Sequence, residues 1–140
     1  MNSEWQNFLE QQGATITEGE VRDYGDRAAE LKQAAEGDSL CDLSHEALIR
    51  ASGDDASSFL QGQLTNDVRN VSATRHQLSS YCNPKGRMLA LFRLFMHDEA
   101  YYLQLPASLL APTLKRLQMF VLMAKVQLED AGDTLSRFAL

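Results

Sequence analysis

Cysteine is scarce in this chain. Cys41 and Cys82 are the only two in 140 residues, and they form no Cys-x-x-Cys pair. Two thiols cannot complete a four-ligand zinc site alone, and His45, His76 and His97 stand at no ligand spacing from them. Both cysteines are therefore expected to be reduced and to act as small apolar side chains. Long apolar runs are also lacking; none approaches the roughly 20 residues of a membrane-crossing helix. Positive charge is in deficit, with 13 Lys and Arg against 19 Asp and Glu, a formal net charge of -6. Such a balance disfavours a phosphate backbone and leaves room only for a local basic patch. There is no Gly-rich phosphate loop, because Gly53 and Gly62 match no nucleotide fingerprint. The first ten residues are polar and acidic, unlike a signal peptide. The expectation is a cytoplasmic protein with no membrane contact and no direct nucleic-acid contact.

What is present suits one ordinary globular domain: 44% hydrophobic and 23% charged residues in a chain long enough for a real core. Trp5, Phe8 and Leu9 at i, i+3 and i+4 predict a helix that Gly13 stops. Asp26 is placed to cap a second helix over 26–36, with Ala28, Ala29, Leu31 and Ala35 as its weak apolar face and Gly37 at its end. Residues 1–39 are thus expected to form an N-terminal helical extension, and 40–140 the folded domain. Ala47, Ile49 and Ala51 alternate as in a strand. Gly53-Asp54-Asp55 then breaks it, and an Asp there is expected to cap the helix that carries Ala56, Phe59, Leu60 and Leu64.

Residues 77–82 predict a strand, and Asn83-Pro84-Lys85-Gly86 a type I turn. The apolar stretch 88–96 suits a central strand covered on both faces. Its partner is 101–105, after the polar turn His97-Asp98-Glu99. Leu110, Leu114, Leu117 and Val121 then mark a helix with Pro112 in its first turn, and 125–129 a last strand. The order β-α-β-β-β-α-β predicts an α+β fold: a mostly antiparallel sheet with helices packed on one face. The last ten residues have the look of the start of a further element.

Polar chemistry concentrates in Gln61, Gln63, Thr65, Asn66 and Asp67 after the helix, and in Asn83, Lys85 and Arg87 at the hairpin. Amides donate and accept, which suits a heterocycle with mixed edges. Lys85 and Arg87 suit a carboxylate tail, and Tyr81 a flat ring. The same residues also fit a purely structural account, in which Thr65-Asn66-Asp67 caps a turn and the two cations are solvated. Ser44-His45-Glu46 offers a nucleophile, a base and an acid, but sequence neighbours rarely converge on one substrate atom. Asp54-Asp55 is explained by capping.

The runs Ser52-Gly53-Asp54-Asp55-Ala56, residues 59–68 (Phe-Leu-Gln-Gly-Gln-Leu-Thr-Asn-Asp-Val) and Asn83-Pro84-Lys85-Gly86-Arg87-Met88 together resemble the N-terminal folate-binding domain of the YgfZ-type proteins. These are relatives of the glycine-cleavage T-protein, an aminomethyltransferase. The resemblance covers about 40–130. It implies tetrahydrofolate as ligand, with Gln61, Gln63 and Asn66 at the edges of the pterin, Tyr81 beside its ring, Lys85 or Arg87 facing its glutamate tail, and Asp67 and Asn83 completing the site. It also implies a protein client among iron-sulfur enzymes and, through them, a part in tRNA modification. The aminomethyltransferases carry an Asp on the strand after the Gly turn; the matching stretch 85–91 has no carboxylate, so aminomethyl transfer is not expected. The family's later Lys-Gly-Cys-Tyr-x-Gly-Gln-Glu signature does not occur, so the likeness is to the leading domain. The alternative expectation is an interaction module, with an uncovered apolar face that drives association, including a homo-oligomer.

Overall fold

The structure, a computed structural model, describes all 140 residues. The chain divides into two units, Ala47–Ala131 and Met1–Glu46 with Gly132–Leu140. The division lies several residues beyond the boundary expected at 39/40, and it assigns the end of the chain to the same unit as its beginning.

In the terminal unit, α1 (Ser3–Gln11) is capped by Asn2, whose side chain accepts from the Trp5 N–H. The expected helix over 26–36 is α2 (Arg27–Glu36), and the Asp26 carboxylate accepts from the Ala28 and Ala29 N–H groups. Between them runs an element that the sequence reading missed. β1 (Thr15–Thr17) and β2 (Glu20–Asp23) form an antiparallel hairpin, so the extension is not purely helical. Its turn places Glu18 and Gly19 at positive φ, the backbone a two-residue hairpin loop demands. The last ten residues do not open a new layer. β9 (Phe138–Ala139) pairs with β3 (Cys41–Asp42), and Trp5 stacks on Phe138 while its indole N–H donates to Asp42.

The larger unit holds a five-stranded sheet in the order β5-β6-β7-β4-β8. The strands are β4 (Glu46–Ser52), β5 (Gln77–Cys82), β6 (Met88–His97), β7 (Ala100–Pro106) and β8 (Gln127–Asp130). α3 (Ala56–Gln63) follows β4 and α4 (Leu110–Gln118) follows β7, which is the expected β-α-β-β-β-α-β order. β5 pairs antiparallel with β6, β6 with β7, and β4 with β8. Alternate residues of the strands (Ile49 and Ala51; Ala90, Phe92 and Leu94; Leu103 and Leu105) join Phe59 and Leu60 of α3 and Leu117 of α4 in one buried cluster. One sheet face thus carries both helices. Full burial of each large side chain contributes about 1.5–3 kcal/mol, which makes this face the main source of stability.

Two local expectations change. β6 is not covered on both faces: Ala90, Phe92 and Leu94 are buried, while Met88, Leu89 and Leu91 are exposed. Its continuous apolar run therefore leaves an apolar surface. Asp55 does stand at the start of α3, but its side chain caps nothing there. Its carboxylate instead accepts from the Lys125 N–H at 2.7 Å, and its own N–H donates to the Lys125 carbonyl at 3.2 Å. This clasp ties α3 to the segment entering β8. Gly53, at φ +112°, makes it possible, because a Cβ there would collide with the Lys125 carbonyl oxygen. Gly53→Ala is expected to lower the unfolding free energy by more than about 1 kcal/mol in urea titration, since it adds both backbone strain and a clash.

Candidate functional site

The β5–β6 hairpin is irregular at its turn end. Tyr81 faces Ala90 and Cys82 faces Met88, so β6 carries one extra residue, Leu89. In a regular strand Leu89 would point away from the face of Ala90. The bulge lets it line the same cavity as Tyr81. The turn itself is held by Asn83. Its side-chain oxygen accepts from the Lys85 and Arg87 N–H groups at 3.0 Å each, and the Gly86 N–H donates to its carbonyl. Gly86 takes positive φ, as the closing residue of this turn.

The cavity has a volume of about 420 Å3 and is walled by Tyr81 and Leu89 from the hairpin, Leu109, Pro112, Thr113, Lys115 and Arg116 from the α4 region, and Met119 just after it. The wall is mainly apolar, and its charged members are cations. It contains no carboxylate, imidazole or thiol, so its residues offer no general base for proton abstraction. The Nε of Arg116 is buried without a hydrogen-bond partner. An unmet guanidinium N–H in an apolar setting is costly, and an anionic group placed there would satisfy it.

Of the residues singled out from sequence, Tyr81 alone is in this wall. The others serve the fold. Residues 64–66 run beside the outer edge of β5. Leu64 bridges to Tyr81, the Thr65 N–H donates to the Ser80 carbonyl at 3.0 Å, and the Asn66 side-chain amide donates to the Leu78 carbonyl at 2.6 Å. This strap occupies backbone groups that an edge strand would otherwise leave open. The Gln61 side-chain oxygen accepts from the buried Val68 N–H at 2.7 Å. Asp67 accepts from the Arg69 N–H and holds the Arg69 guanidinium in two bonds of 2.8 Å. Those side-chain bonds keep the Asp67 carboxyl below the usual carboxylate range. Gln63 is half-buried at the last residue of α3. Lys85 and Arg87 are exposed on the turn. The hollow therefore joins the hairpin to α4, not to the end of α3.

The α4 wall was missed because its apolar stripe, Leu110, Leu114 and Leu117, was assigned to the core, where Leu117 is indeed buried. A second stripe was there to be read: Leu109, Pro112, Thr113 and Arg116 fall at i, i+3, i+4 and i+7. Elsewhere, the terminal unit holds a separate cavity of about 620 Å3 whose wall includes Tyr24, Glu30, Asp38, Cys41 and Asp42. Burial first, then the charges of Asp42 and Glu30, push the Tyr24 phenol above its ordinary value. That acidic wall suits no anionic ligand. Gln61→Ala, by stranding the Val68 N–H, is expected to lower stability by about 1–3 kcal/mol in chemical denaturation. Loss of less than about 0.5 kcal/mol would contradict the structural role.

No protein-family model matches the chain. It is 35% identical over 97 residues to the tRNA-modifying protein YgfZ of Photobacterium profundum, which covers 69% of this chain and 30% of that one. It is 34% identical over 91 residues to the protein of the same name from Vibrio atlanticus, covering 65% of this chain and 28% of that one. The chain thus spans about three-tenths of the length of these curated relatives. Its fold superposes on the glycine cleavage system aminomethyltransferase T from Bartonella henselae with a TM-score of 0.72, at 19% identity, over 93% of this chain and 38% of that one. The α+β fold is therefore that of the aminomethyltransferases, and by sequence over two thirds of its length the chain belongs to the YgfZ family.

Proposed function

We propose that this chain binds tetrahydrofolate in the cavity between the β5–β6 hairpin and α4, without catalysing a reaction on it. The observation that carries the reading is the make-up of that cavity. Apolar walls with one tyrosine suit a flat pterin, and a cationic end with a buried, unmet Arg116 N–H suits the glutamate carboxylates. The non-catalytic part rests on β6, which has no Asp or Glu from Met88 to His97. An aliphatic side chain relays no proton, so aminomethyl transfer is not proposed. The relatives' name, tRNA-modifying protein, supports a role for the bound folate in tRNA modification, exerted through a protein client among iron-sulfur enzymes and not through direct contact with nucleic acid. A cytoplasmic setting accords with that role.

One observation favours a second reading, that of an interaction module. Met119, Leu122 and Met123, after α4, are 68%, 85% and 96% exposed, and surface of this kind commonly meets a partner or a second copy.

Calorimetric titration with 5-formyltetrahydrofolate, an oxidation-stable reduced folate, tests the first reading. Saturable 1:1 binding is expected, weakened about 10- to 100-fold by Arg116→Ala through loss of a charge-assisted bond. No saturation at millimolar ligand, with self-association in light scattering, would overturn it in favour of the second.

A further inference from the structure

We infer that the cationic end of the cavity is built for folates with an oligo-γ-glutamyl tail, and that the β5–β6 hairpin is the part that reads the tail; this rests on the folate reading above. The sequence is charge-segregated in a way that its total of -6 hides. Residues 68–128 hold eight Lys and Arg against two Asp and Glu, a balance of +6, while the rest of the chain holds five against seventeen, a balance of -12. Within the positive stretch, some cations are neutralised locally. Arg69 pairs with Asp67, and Lys125 lies 3.9 Å from Asp54. Lys85, Arg87, Lys115 and Arg116 take part in none of the chain's ion pairs.

These four are close together in the fold. Lys115 and Arg116 are in the cavity wall. Tyr81 and Leu89, in the same wall, each stand two residues from the ends of the turn, Asn83 and Arg87, about 7 Å along a strand. The turn is braced by the Asn83 side chain, so Lys85 and Arg87 project from a fixed backbone. The C-terminal dipole of α4 accounts for cations at Lys115 and Arg116, but not for two more on a hairpin. A monoglutamyl folate brings two carboxylates, which Arg116 and Lys115 can meet. Each further γ-linked glutamate adds one carboxylate, and the hairpin pair lies where a tail leaving the cavity would run. Exposed pairs are individually weak, roughly two- to fivefold in affinity each, so the preference builds with tail length and fades with salt.

The test compares tetrahydropteroyl monoglutamate with its tetraglutamate by calorimetry, at low salt and at 0.5 M salt, on the full chain and on Lys85→Ala/Arg87→Ala. The double variant changes exposed side chains only. The expected result is roughly tenfold tighter binding of the tetraglutamate at low salt, with most of that difference lost at high salt and in the double variant. Equal affinities for two ligands that both saturate would overturn the tail assignment and leave the folate reading intact. Failure of both ligands to saturate would overturn the folate reading, and the tail assignment with it.

Discussion

The bulge at Leu89 is the constraint from which the rest of the site follows. One extra residue in β6, opposite the step from Tyr81 to Cys82, brings Leu89 into the same wall as Tyr81. Without it, strict alternation would send Leu89 to the exposed face that Leu91 occupies. The bulge stays in place because both ends of it are anchored. Asn83 locks the turn on one side, and the fully buried Phe92, paired with Ser79, fixes the register on the other. A cavity at that end of the sheet then needs only a second wall, and α4 supplies it.

The strap at residues 64–66 explains how a polar, specific-looking motif can be structural. Thr65 and Asn66 match the hydrogen-bonding rhythm of β5, with the Asn66 amide reaching one carbonyl beyond the main-chain pairing. Gln61 and the Gln77 amide, which donates to the Asp67 carbonyl, hold the strap at its other end. The same amide chemistry that would suit a pterin edge suits a peptide edge equally well, and here the peptide edge is the nearer partner.

That equivalence marks the limit of what the sequence could tell. The elements of the larger unit were legible because their signals are long or chemically unambiguous: the alternation in 77–82, the Asn-Pro-Lys-Gly turn, the stripe of α4 and the Asp26 cap. The β1–β2 hairpin was not legible, since three- and four-residue strands are too short for alternation to register. The bonding of Asp55 to Lys125, 70 residues away, instead of to its own helix is a tertiary choice. The site was legible in its hairpin half, through Tyr81, and hidden in its helical half. The stripe at Leu109, Pro112, Thr113 and Arg116 mixes apolar, polar and charged residues, and such a face announces itself only when something is known to lie opposite.

The central claim is that the ring of a reduced folate sits between Tyr81, Leu89 and the α4 wall. Methyl-selective NMR of the chain during addition of 5-formyltetrahydrofolate tests it directly. The account predicts the largest shifts at the methyl groups of Leu89, Leu109 and Met119, with Leu40, in the wall of the terminal unit's cavity, unchanged. Shifts centred on Leu40, or saturable binding that leaves Leu89 and Met119 unmoved, would contradict it.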